Sequence, residues 1–239
     1  MNARPQGPRR AADRAPLRRR SDLPDLAARE QLISTALRLD ALGMNRGSTG
    51  NASVRAAEGG FWVTPTGLSA ADLTLERLVW IDAQGRAQGP LQPSSEWHFH
   101  QAIYRRREDL HAVLHTHSVN ATALACLRRE LPAFHYMVAI AGGDNVPCTP
   151  YRLFGTEALS EAVAEAFGGR QACLMANHGL VAGGRDMAQA MKVLVEIEAL
   201  CGIYLQALAV EEPRCLSRAQ MAEVIDKFKT YGQPRPAEP

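Results

Sequence analysis

The chain has 239 residues, 46% hydrophobic and 22% charged, an ordinary composition for one soluble globular domain with enough apolar chain for a real core. No apolar run approaches the roughly 20 residues that span a bilayer, and five scattered cysteines without a Cys-x-x-Cys pair argue against a disulfide framework or a cysteine zinc knuckle. The net charge of +2 misleads: residues 1–20 hold seven Arg and one Asp, so everything after Arg20 carries −4 and offers no nucleic-acid-binding surface.

Residues 1–22 are Arg- and Pro-rich with almost no large apolar side chains, and are expected to be a disordered leader. They lack the apolar stretch of a secretory signal, and a leader without function is preferred over a transit peptide or a polyanion-binding arm. Reduced thiols and the absence of a spanning segment point to a cytoplasmic protein. Asp25–Leu42 carries apolar residues at helical spacing and stops at Gly43. A Gly-rich loop is expected over 43–55, then β-like runs at 61–67 and 77–82 separated by the turn-and-helix stretch LSAADLT. Residues 94–107 read as a helix, 112–117 as a buried strand, and SVNATALACLRR as a helix. VPCTPY is a short strand, and a helix runs from Thr156 to Gly168. Residues 172–184 form strand, turn and strand, followed by the longest helix and a last amphipathic one over 217–230. The pattern predicts a single α/β domain over 23–233, a central, mostly antiparallel sheet flanked by helices, with a flexible tail at 234–239.

His115 and His117 are the sharpest chemical feature. Residues i and i+2 of a strand project from one face, so both imidazoles can reach one ion. His98 and His100 share the spacing, but in a helix they lie about 200° apart and cannot chelate together. His178, in the Asn-His-Gly turn between two strands, is the natural third ligand, and three imidazoles leave a catalytic position open on zinc. A packed core histidine pair is the competing reading of His-x-His alone; His111 and His135 read as packing or surface residues. Small hydroxyl or glycine residues recur at Gly47–Asn51, Thr66-Gly67 and Ser94-Ser95, where backbone N–H groups could cradle a phosphate or simply make turns and a cap. Glu96, in the first turn of its helix, is either a solvated partner of the helix dipole or a general acid/base.

Taken in order, GSTGNASVR, WVTPTGL, PSSEWHFH, AVLHTH, AFHYMVAIAGGDNVPCTPYRLFGT and ANHGL resemble the class II aldolase/adducin family from about Leu26 to Gly232. The resemblance implies an α/β/α fold and a homotetramer with active sites between subunits. It implies one Zn2+ per subunit on His115, His117 and His178, with Glu96 contacting the metal at rest and then acting as acid/base. Phosphate would lie against Ser48, Asn51, Thr66, Gly67, Ser94 and Ser95. Tyr136 would come from the neighbouring subunit, and Tyr231 would be a second, mobile tyrosine. The implied reaction is reversible cleavage of a ketose 1-phosphate to dihydroxyacetone phosphate and an aldehyde. L-fuculose 1-phosphate is the expected type, with lactaldehyde as product. A 5-deoxyribulose or 5-methylthioribulose 1-phosphate aldolase is the alternative, then a sugar-phosphate 4-epimerase, and last a non-enzymatic adducin-like domain. The chain departs from the pattern at Asn177, where close relatives can carry His, at Ser48, where they carry Thr, and in its leader. Lys192, Lys227 and Lys229 are the only lysines and fall on helices that look solvent-facing, against an imine-forming aldolase.

Overall fold

The computed structural model describes residues 24–230; the leader expected at 1–22, the tail at 234–239 and Tyr231 lie outside them. Eight strands form one sheet in the order β4-β3-β2-β1-β5-β8-β7-β6. They are β1 Asn51–Arg55, β2 Phe61–Val63, β3 Val79–Ile81, β4 Ala87–Gln88, β5 Ala112–Thr116, β6 Cys148–Thr149, β7 Ala172–Met175 and β8 Gly179–Gly184. Every pair is antiparallel except β6 with β7. The helices are α1 Leu26–Ala41, α2 Trp97–Arg106, α3 Val119–Cys126, α4 Glu157–Phe167, α5 Met187–Leu208 and α6 Arg218–Lys229.

Strand alternation divides the interior into two apolar clusters, one on each face of the sheet. Ala52, Val54, Leu114, Leu174 and Ala182 pack with α1, α3 and α5. Phe61, Val63, Val113, Cys173 and Val181 pack with α2 and α4. The result is the expected α/β/α architecture. Local chemistry sets several boundaries: Thr156 Oγ1 caps α4 by accepting from Leu159 N–H, Gly168 follows its last turn, and a Ser217–Gln220 capping box opens α6.

Three local expectations change. Asn51–Arg55 is a strand, not loop, because it pairs along its length with β2 and β5. The stretch LSAADLT, residues 68–74, holds only a short 3-10 turn at 70–72, and a second follows it at 75–77. Helix α2 begins at Trp97, so Glu96 is its cap residue and Ser95 stands outside it, exposed. All five cysteines are unpaired. No helix among the described residues is long and apolar enough to cross a membrane.

Candidate active site and metal centre

The open end of β5 and the turn entering β8 bring the histidines together. His115 is β5's second-last residue and His117 follows the strand by one, so both project to the α2 face. His178 ends the β7–β8 turn, whose Asn177 adopts φ 57°, a left-handed conformation that asparagine tolerates. Asn177 Oδ1 is held there by Arg128 Nε at 2.8 Å. The three imidazole centroids lie 4.8, 4.9 and 4.9 Å apart, and one ligand nitrogen from each falls within a 4.8 Å group. This is the one group of three or more such ligands found among the described residues.

Glu96 reaches the same point from α2. Its Oε2 lies 3.3 Å from His115 Nε2, and its Oε1 lies 3.1 Å from His178 Nε2 with no hydrogen bond of its own. His115 Nδ1 donates to the Leu180 carbonyl at 3.0 Å, which orients the ring and turns Nε2 toward His117 Nε2 at 3.0 Å. Two ring nitrogens this close share either a proton or a cation. Three imidazoles and a carboxylate suit a divalent ion of the zinc type.

The electrostatics agree with such a site. Burial alone would raise the Glu96 carboxyl, but His115 and His178 outweigh it and hold the group well below the usual carboxylate range. Burial, and then His115 and His178, push His117 down to about 4, so at neutral pH its ring is uncharged and keeps one nitrogen free for a metal.

His117 and His178 open on a cavity of about 350 Å³. Ser48, Asn51, Thr66, Gly67, Ser94 and Ser95 all line it, together with Glu96, His117 and His178. Within this lining Glu96 is the sole carboxylate and Arg152 the sole guanidinium. The loop before β1 closes tightly: Gly50 has φ 74°, and a Cβ there would come 2.3 Å from Asn45 Oδ1. Asn51 borders the cavity with both ends of its amide engaged, Nδ2 on Glu96 Oε2 at 2.9 Å and Oδ1 on His100 Nε2 at 2.6 Å.

Tyr136, half-exposed on a 3-10 helix at 136–141, is not among the lining residues of its own chain. His98 and His111 are exposed, and His135 Nδ1 accepts from Met137 N–H at the start of that 3-10 helix. The three lysines are exposed on α5 and α6. Sequence reasoning missed Pro65, Tyr151, Arg152, Phe154 and Asn177 in the lining. Tyr151–Phe154 follows β6 without regular structure and left no periodic signal. It also missed His100, for which the four-residue interval from Glu96 on a helix was an available cue.

The family model described as Class II Aldolase and Adducin N-terminal domain matches residues 30–205. The chain is 48% identical over 207 residues to a Rhodospirillum rubrum 5-methylthioribulose-1-phosphate/5-deoxyribulose-1-phosphate aldolase, covering 87% of this chain and 93% of that protein. It is 45% identical over 203 residues to an Escherichia coli K12 L-fuculose phosphate aldolase, covering 84% and 94%. Among solved structures, an L-fuculose 1-phosphate aldolase superposes with a TM-score of 0.82 at 36% identity, covering 85% of this chain and 96% of the other.

Proposed function

The chain belongs to the class II aldolase and adducin family and is a metal-dependent class II aldehyde-lyase; we propose that zinc is its metal and that it cleaves a ketose 1-phosphate to dihydroxyacetone phosphate and an aldehyde. The observation that carries this reading is the meeting of His115, His117, His178 and Glu96 at one side of a cavity lined by small hydroxyl and glycine residues. Bound zinc would supply Lewis acidity for the negative charge that develops on the substrate's oxygens.

Ser48, Thr66, Gly67, Ser94 and Ser95 receive the phosphate through hydroxyl and backbone N–H groups, with Asn51 beside them. In the condensation direction Glu96, the one carboxylate of the lining, takes a proton from dihydroxyacetone phosphate. Tyr136 of a neighbouring subunit protonates the aldehyde oxygen as the new bond forms, and Tyr231 is a second tyrosine near the substrate. Cleavage reverses both proton transfers. This assignment implies a homotetramer with its sites between subunits, and an aldolase unit spanning 23–233. Lysine imine chemistry has no support here, because Lys192, Lys227 and Lys229 are exposed away from the lining.

The substrates named for the two relatives share an apolar terminal carbon, a methyl or a methylthiomethyl group. Tyr151 and Phe154 supply apolar surface in the lining for such a tail. L-fuculose 1-phosphate and 5-deoxyribulose or 5-methylthioribulose 1-phosphate are the two candidates, each supported by a relative of comparable identity.

The test is dihydroxyacetone phosphate release by the purified, metal-analysed chain from these three ketose 1-phosphates and from ribulose 1-phosphate. The expected result is chelator-sensitive release, restored by zinc, with one clear preference. Inversion at C4 of a pentulose 5-phosphate without triose phosphate release would replace this reading with a 4-epimerase.

A further inference from the structure

Helix α2 carries two polar side chains one turn apart, Glu96 at its cap and His100, while β1 carries Asn51 and Ser53 two residues apart and so on one face of the sheet. These four, with Tyr104, form a single buried chain of hydrogen bonds. Ser53 and His100 are 0% exposed, and the other three are 8% or less.

Its polarity can be worked out from one end. A carboxylate only accepts, so Asn51 Nδ2 donates to Glu96 Oε2 at 2.9 Å. Asn51 Oδ1 therefore faces His100, and His100 Nε2 must donate to it at 2.6 Å. In a neutral ring the other nitrogen is an acceptor, so Nδ1 accepts from Ser53 Oγ–H at 2.7 Å. Ser53 Oγ in turn accepts from Tyr104 Oη–H at 2.8 Å. Every donor points toward Glu96. Neutrality of the His100 ring agrees with its surroundings, since complete burial pushes it down to about 3.

We propose that His100 is a positioning residue for the aldolase reaction: its Nε2–H fixes the Asn51 amide so that the amide N–H, not the carbonyl, meets the Glu96 carboxylate. Without that donor the amide is free to turn over and set its oxygen against a carboxylate oxygen, a repulsive contact that moves the proposed acid/base group out of line. Asn51 is also the Cα partner of His115 in the β1–β5 ladder, so the amide is anchored beside the histidine cluster it serves. The kinetic part of this inference rests on the aldolase reading; the donor pattern does not.

The experiment uses the full-length, zinc-loaded chain with His100→Phe, His100→Gln and Ser53→Ala. For His100→Phe, kcat should fall roughly 10- to 100-fold with KM and zinc content little changed, as for groups that orient a site from behind it. His100→Gln, which can still donate to Asn51 Oδ1, should recover most of kcat. Ser53→Ala should lower kcat in the same direction, and keeps the test open if His100→Phe does not fold. Long-range 1H–15N spectra of the wild type should show His100 protonated at Nε2 and bare at Nδ1. Wild-type kcat in both His100→Phe and Ser53→Ala, a change in KM alone, or an Nδ1-protonated ring would each overturn the proposal. A wild type that releases no dihydroxyacetone phosphate would defeat the aldolase reading, and the tautomer would then decide the donor pattern by itself.

Discussion

Glu96 is held from two sides, by the Asn51 amide and by the His115 and His178 imidazoles, whose pull on the carboxyl outweighs the upward push of burial. Glu96→Gln is nearly isosteric and leaves the three imidazoles intact, so the protein should keep its zinc. Turnover should fall by about 10²- to 10⁴-fold, the usual loss when a positioned proton-transfer group is removed. Metal analysis and kcat measured on one preparation check this, and full activity would remove Glu96 from the chemistry. At this scale the sequence was readable where chain geometry alone dictates direction. His115 and His117 share a strand face whatever surrounds them, whereas His98 and His100, at the same spacing in a helix, part company: one is exposed and one fully buried. What could not be read was the target of His100, because its partners Asn51 and Ser53 lie almost fifty residues away on β1.

Elements fix how closely those residues approach. At the start of β8, a Cβ added to Gly179 would come 2.4 Å from the Thr116 carbonyl oxygen, 3.1 Å from His117 Cδ2 and 3.3 Å from His115 Cε1. Gly179→Ala should therefore leave the sheet folded, force β8 away from β5 at this point, and spread the histidines. We expect roughly a tenfold or greater loss of zinc affinity, comparable to losing an orienting partner of a ligand. Zinc titration against unchanged far-UV circular dichroism checks it, and wild-type affinity would show that the β7–β8 turn absorbs the methyl group. Helix α3, which starts two residues after His117, has its cap and first turn secured by α5: Glu198 accepts from Ser118 Oγ and from the backbone N–H groups of Asn120 and Ala121. Most helices were legible because their apolar periodicity and caps are local. β1 was not, since Asn51 and Ser53 read as polar loop residues although their polar face is buried against His100. The Glu198 cap was equally hidden, its partner turn being some eighty residues distant.

For the whole molecule, the question is how Tyr136 can serve a site whose lining in its own chain does not include it. The 3-10 helix at 136–141 packs against α5 and α6 on one side of the sheet. Glu96 and His115 face α2 on the other, where the His115 ring meets Phe99 edge-on. A tyrosine half-exposed on the opposite layer is better placed to complete a neighbour's cleft than its own, which is the arrangement proposed above. Subunit mixing decides it. Glu96→Gln and Tyr136→Phe chains should each turn over slowly alone. Co-expressed in equal amounts and purified through a separate tag on each, they should assemble at random. If each site takes Glu96 from one subunit and Tyr136 from the next, about a quarter of the sites in a cyclic assembly regain both native side chains. Activity near that fraction of the wild type, well above either parent, would establish the shared site. Activity equal to the average of the parents would place the function of Tyr136 within its own subunit.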